Sequence, residues 1–170
     1  MAAFMEALLS LGAYDEATAA ISVFWRDAEL EKDELRSLYT RYAKYLSVTA
    51  NAGRLDNLLW NSRYGEAEDM FQYLPSSLKV LAQARVALGR QSSNAGSALN
   101  NVPVEYRNDQ GLLFDRMRWK RRRDESYLGL DILASIKQKL LRPEFWWKEQ
   151  NILSRRAIEQ GRYRDAYNII

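Results

Sequence analysis

One short phrase is written three times in this chain: Ala-Tyr-Asp-Glu-Ala at positions 13–17, Arg-Tyr-Gly-Glu-Ala at 63–67 and Arg-Tyr-Arg-Asp-Ala at 162–166. Each copy follows a stretch with helical spacing of apolar residues and opens another, and Gly12 and Gly161 mark two of the breaks. A recurring helix–turn–helix unit predicts stacked hairpins, because one hairpin cannot bury its apolar face alone. In this reading the turn residue ends the first helix and the Tyr ring plugs the groove between the two helices. The Asp or Glu sits near the positive N-terminus of the second helix, and the Ala leaves room for a close crossing. The copies are unevenly spaced, so the repeat is degenerate. The expected fold is all-α: a right-handed α-superhelix of stacked antiparallel helical hairpins, a TPR-like solenoid segment, with residues 1–170 as a single domain.

Composition narrows the chemistry. With 8 Gly and 3 Pro in 170 residues, the chain is poor in the tight turns of a β-rich domain. Hydrophobic residues make up 47%, with 5 Trp and 10 Tyr, which argues for a packed core rather than a disordered tail. The absence of Cys removes disulfides, thiolate nucleophiles and cysteine zinc sites. The absence of His removes the commonest general base and the most frequent metal ligand. A net charge of +3 is compatible with an anionic polymer as partner without specifying one. No apolar run reaches the roughly 20 residues of a membrane-spanning helix, and residues 1–11 lack the basic start of a signal peptide.

Periodicity predicts a first helix through Phe4, Leu8 and Leu11, then one from Tyr14 to Trp25 with Ala17, Ala20, Ile21, Phe24 and Trp25 inward. A third, capped by Asp33 or a neighbour, carries Leu35, Leu38, Tyr39, Tyr42 and Leu46. A fourth covers Arg54 to Trp60, and its partner runs to Tyr73. Pro75 starts the next, which stops at Gly89. Residues 90–102, rich in Ser and Asn, read as an irregular loop with room for a short helix at Ala95 to Leu99. Helices follow at Gln110 to Arg122, with Leu112, Leu113, Met117 and Trp119 inward, at Ser126 to Leu140, and from Pro143 to Gln160. The last Tyr phrase opens a final helix whose apolar end calls for a partner.

Three local patterns suggest chemistry. Glu125-Ser126 matches the acid-serine pair of some glycan-cleaving enzymes, but it follows Arg121, Arg122, Arg123 and Asp124. A cationic, solvated setting lowers a carboxyl pKa, whereas a catalytic acid needs it raised; the pair reads as a helix start. The run Arg116, Arg118 and Lys120 to Arg123 spreads round most of a helix and reads as a solvated face, with Arg116 and Arg123 paired to Asp115, Asp124 or Glu125. An anion-binding stripe is the alternative. Without a helix-turn-helix pattern, an RNP motif or zinc ligands, nucleic acid is not an expected partner. Phe145-Trp146-Trp147 offers rings for stacking on sugars, but adjacent helical side chains diverge by about 100°, so at least one ring is expected in the core. No catalytic, cofactor-binding or metal-binding residue is assigned, and no cofactor is expected.

The second half carries a more specific likeness. Val102-Pro103, the stretch Asp109-Gln110-Gly111-Leu112-Leu113-Phe114-Asp115-Arg116 and Arg118-Trp119-Lys120-Arg121-Arg122 resemble a block of the soluble lytic murein transglycosylases of α-proteobacterial type, which reads roughly "VP…DPGLLYDRARWRRR". Arg142-Pro143-Glu144-Phe145-Trp146-Trp147-Lys148-Glu149-Gln150 resembles their "RPEKWWRERR". Ala157 to Tyr167 is similar to "ALE.GDYREAYRLA", and Arg54-Leu55-Asp56-Asn57-Leu58-Leu59-Trp60 to "RLDRLLW". The order and approximate spacing of the four blocks agree over most of residues 50–170.

In that family these blocks belong to the superhelical region preceding a lysozyme-like domain, which cleaves the glycan of peptidoglycan with formation of a 1,6-anhydro product. The family's Gln-Glu-Ser and Gly-Leu-Met-Gln catalytic phrases are missing from this chain. The resemblance therefore implies a non-catalytic scaffold segment, inactive alone, that positions glycan strands and a separate catalytic domain. It implies periplasmic location and weak contact with peptidoglycan, and it makes the chain an expected fragment of a larger or split gene product. The alternative is a free-standing TPR-like scaffold that binds a protein partner or a second copy of itself.

Overall fold

The computed structural model describes residues 2–169. Eleven α-helices are described: α1 Ala2–Ser10, α2 Tyr14–Asp27, α3 Lys32–Tyr42, α4 Val48–Trp60, α5 Tyr64–Asp69, α6 Ser76–Gly89, α7 Ala95–Asn100, α8 Gln110–Arg122, α9 Ser126–Ser135, α10 Pro143–Glu159 and α11 Tyr163–Ile169. Single 3-10 turns lie at Ala43–Tyr45, Met70–Tyr73 and Val104–Tyr106. No strand occurs among the described residues, so the chain is all-helical. No described helix is long and apolar enough to cross a membrane. The sequence reading treats residues 1–170 as one domain; by packing, the chain divides into two compact units, Met1–Ala82 and Gln83–Ile170, with the division inside α6.

The Tyr phrase is the second half of a helix-ending device. At Gly12 the chain turns left-handed (φ +72°); the Gly12 N–H donates to the Leu9 carbonyl and the Ala13 N–H to the Leu8 carbonyl. This is the Schellman arrangement, which satisfies the last carbonyls of a helix. The same pair of bonds recurs at Ser62, Gln91, Asp124 and Gly161, whose φ values are +59°, +56°, +60° and +73°. Two of the five turns, at Gln91 and Asp124, carry no Tyr phrase.

What the turn needs is a small residue just inside the next helix. Ala17, Ala67 and Ala166, five positions after their turn residues, are buried. Gly129 holds the same place after Asp124, where an added Cβ would meet Leu153 Cδ2 at 3.4 Å and Met117 Cγ at 3.5 Å. After Gln91 the buried small residue is Ala95, one position earlier. The expectation that the Tyr ring plugs the groove is corrected at two of the three copies: Tyr14 and Tyr163 are 59% and 68% exposed, whereas Tyr64 is half-buried. A residue at the first helical position points back over the turn, and only the alanine a turn later faces the neighbouring helix. The acid works as expected and also closes a clasp, Arg63 with Glu66 and Arg162 with Asp165 at 2.7 Å.

In the first unit α1 packs on α2, α2 on α4 and α4 on α5. Ile21, Trp25, Leu55, Leu58 and Leu59 are buried there. Trp25 meets Tyr39 and Tyr73, whose rings stack at 3.9 Å between centroids. The buried Arg54 guanidinium lies 5.1 Å over the Trp25 ring and donates to the carbonyls of Trp25 (2.5 Å) and Ala28 (2.9 Å). It thereby satisfies the open end of α2, which would otherwise leave carbonyls buried and unbonded. The helix predicted through Leu46 stops at Tyr42, because Ser47 caps α4 by accepting the Ala50 N–H at 3.1 Å and the chain must turn first.

In the second unit α8, α9, α10 and α11 pack as a group, and α7 is the short helix for which the Ser- and Asn-rich stretch left room at Ala95 to Leu99. The helix predicted to reach Leu140 ends at Ser135. Side chains from elsewhere hold the stretch that follows out of helical form: Gln110 bonds the Lys139 carbonyl (2.9 Å) and the Leu141 N–H (2.7 Å), and the Trp146 indole donates to the Leu141 carbonyl (3.0 Å).

Candidate functional site

The residues that looked most like chemistry converge inside the second unit. Asp115 and Arg85 form a buried ion pair at 2.8 Å, each side chain 2% exposed. Burial pushes the Asp115 carboxyl above its usual range, opposed by the Arg85 guanidinium. Gly111 sits against that guanidinium, and a Cβ there would fall 2.3 Å from its Cζ. Further along α8, Arg121 grips Glu149 through Nε (2.5 Å) and Nη2 (3.1 Å), and Arg118 adds a third contact at 3.4 Å. Phe114 packs edge-on against Trp146 at 5.1 Å and Phe145 at 6.3 Å. The block at 109–122 and the block at 142–150 are therefore one interlocked structure.

This corrects the reading of the basic run as a solvated face. Arg118 and Arg121 are held by Glu149, Lys120 by Glu125, and Arg122 donates to the Gly89 carbonyl. Arg116 is exposed. Arg123 lies 3.9 Å from Glu125 as expected, whereas Asp124 pairs with Arg156 and Asp115 with Arg85. Charges tied to carboxylates and carbonyls are poorly placed to grip a polyanion.

Glu125 is held below the usual carboxylate range, first by its hydrogen bond from Lys120 and further by Arg123. An acid of that kind is ionised at neutral pH and has no proton to donate to a leaving oxygen. Of the aromatic triplet, Trp146 is buried, Phe145 half-buried and Trp147 60% exposed, so the expectation of at least one core ring holds and a flat platform is absent. Among the described residues no cluster of three His, Cys, Asp or Glu is placed to hold a metal ion. Sequence reasoning missed Glu149 as the partner of the arginines; nothing local signals a contact 28 residues away.

Surface clefts remain. In the second unit a half-open groove of about 260 Å³ runs between α9, α11 and the stretch after Ser135. Leu130, Ile136 and Leu140 give it apolar walls, Gln138, Gln150 and Asn168 supply amides, and Asp131, Arg162 and Asp165 bring charge. In the first unit an apolar cleft of about 540 Å³ lies on the outer side of α1 and α2, lined by Phe4, Ala19, Ala20, Val23, Phe24, Asp27 and Ala28. Comparison with protein-family models, with curated proteins and with solved structures finds no match to this chain.

Proposed function

We propose that this chain is a non-catalytic helical scaffold of the lytic murein transglycosylase type, a superhelical segment that positions a glycan strand for a separate catalytic domain. The observation that carries the reading is the interlock of the two blocks resembling that family. Their arginines, acids and aromatic rings are spent on Arg85–Asp115, Arg118 and Arg121 with Glu149, and Phe114 with Trp146. Such residues build a rigid wall, and the ionised Glu125 supplies no acid. The amide-bearing groove of the second unit is the place where a sugar would rest.

The test is sedimentation of the purified chain with insoluble peptidoglycan sacculi over a range of salt, with chromatography of the soluble products. The expected result is retention without release of 1,6-anhydro muropeptides. Failure to sediment at low salt overturns the glycan reading, and release of anhydro products overturns the non-catalytic one. The second reading, a free-standing helical-repeat scaffold for protein partners, is favoured by the apolar cleft on α1 and α2.

A further inference from the structure

Two exposed faces, one in each unit, both carry large apolar side chains and differ in charge. The α1–α2 cleft has a floor of Ala19 and Ala20, which lets another helix approach closely, and rims of Phe4 (56% exposed) and Val23 (53%). Asp15 and Glu16 lie one turn before the alanines, and Asp27, which lines the cleft, is bonded at both carboxylate oxygens by Arg26. The second unit presents the opposite surface. On α11, Tyr163 and Tyr167 lie one turn apart and are 68% and 83% exposed, with Arg164 beside them, while Ala166 faces inward. On α10, Trp147 and Ile158 are 60% and 50% exposed, about 20° apart on the helix, with Lys148 and Arg155 near. The contrast extends to sequence: residues 1–30 hold five acids and one cation, and residues 141–170 hold six cations and four acids.

We infer that the α1–α2 cleft receives the α11 face of a second copy of this chain, Tyr163 and Tyr167 lying against Ala19, Ala20 and Val23, with Arg164 toward Asp15 and Glu16. Such a contact joins unlike faces, so a pair of copies keeps one unused cleft and one unused α11 face, one on each copy, and assembly continues beyond the dimer unless a ring closes. The inference goes beyond the scaffold reading and does not depend on binding to glycan.

Sedimentation and light scattering from micromolar to millimolar concentration test it, using the intact chain and the variants Val23→Glu and Tyr167→Glu. Both positions are exposed, and unchanged thermal melts confirm that the fold is kept. The intact chain is expected to rise above 19.8 kDa with concentration and to fall back in high salt. Each variant alone stays monomeric. Their equimolar mixture forms a dimer and stops there, because the intact α11 of the Val23→Glu chain fills the intact cleft of the Tyr167→Glu chain. A monomeric intact chain at every concentration overturns the inference and leaves the cleft to another partner. Self-association of the Tyr167→Glu chain alone also overturns it, since that result belongs to a symmetric contact between two clefts.

Discussion

Gly111 and Arg85 exclude any side chain between them: a Cβ on Gly111 would lie 2.3 Å from the Arg85 Cζ. Glycine at the second position of α8 is thus a consequence of a guanidinium packed flat against the helix backbone. That guanidinium is 2% exposed and already paired with Asp115, so it cannot swing away without parting two buried charges. Gly111→Ala is expected to destabilise by about 3 kcal/mol, and Asp115→Ala by a similar or larger amount, because each strands a buried charge. Replacing both partners together, Arg85→Met with Asp115→Leu, is expected to cost less than Asp115→Ala alone. Urea titrations of the single and double variants check the ordering; additive losses would contradict it.

Glu149 and Glu125 make a second pair of opposites. Glu149 is nearly buried and receives Arg118 and Arg121, which are 19% and 14% exposed. Glu125 is 31% exposed and bonded to Lys120, which is 20% exposed. Glu149→Ala is expected to cost about 2–4 kcal/mol by leaving two part-buried cations without their carboxylate. Glu125→Gln is expected to leave the melting temperature close to that of the parent. Thermal melts compare them. A large loss from Glu125→Gln with none from Glu149→Ala would invert the hierarchy and return attention to the Glu-Ser pair.

Helix existence was readable wherever the apolar period was strong and the stop was a glycine. The bounds Gln110–Arg122 agree with the period of Leu112 and Met117, and Gly12 and Gly161 mark their turns openly. The turns at Ser62, Gln91 and Asp124 adopt the same backbone without a glycine, so composition does not announce them. Pairing was legible only at short range. Arg162 with Asp165 follows from helical spacing, whereas Arg121 with Glu149 and Gln110 with Leu141 depend on which helix returns beside which. The early end of α9 is of that kind, since bonds to the stretch after Ser135 come from α8 and α10. The candidate groove shares the limitation: Gln138, Gln150 and Asn168 belong to three separate segments and meet only in the fold.

The five left-handed turns supply a graded test of the repeat. Gln91 holds φ +56° with an ordinary side chain, a conformation that costs an L-residue about 1–2 kcal/mol and glycine almost nothing. Gln91→Gly is expected to stabilise by about 0.5–1 kcal/mol and Gly161→Ala to destabilise by about 1 kcal/mol. Asp124→Gly should gain less than Gln91→Gly, because it also removes the ion pair with Arg156 at 3.5 Å. Equal melting temperatures for Gln91→Gly and the parent would mean that the Schellman geometry is absent at that turn.

Alkaline pH should loosen the first unit through Tyr42. Its phenol is buried and donates to Glu6 at 2.5 Å. Burial first, and the Glu6 carboxylate second, raise its pKa above the ordinary value of 10.0. The native state therefore keeps this proton to higher pH than the unfolded chain does. Below about pH 10 both states are protonated and stability is unaffected; above it the unfolded chain ionises first, and stability falls until the native phenol also ionises. Tyr73, raised by burial as well, adds to the same limb. Tyr42→Phe removes the titrating group together with the bond to Glu6. The variant is expected to melt lower at neutral pH and to lose less stability than the parent between pH 9 and about 11. Parallel alkaline limbs in denaturant titrations of the two chains would show that Tyr42 is as accessible to ionisation in the folded protein as in the unfolded one.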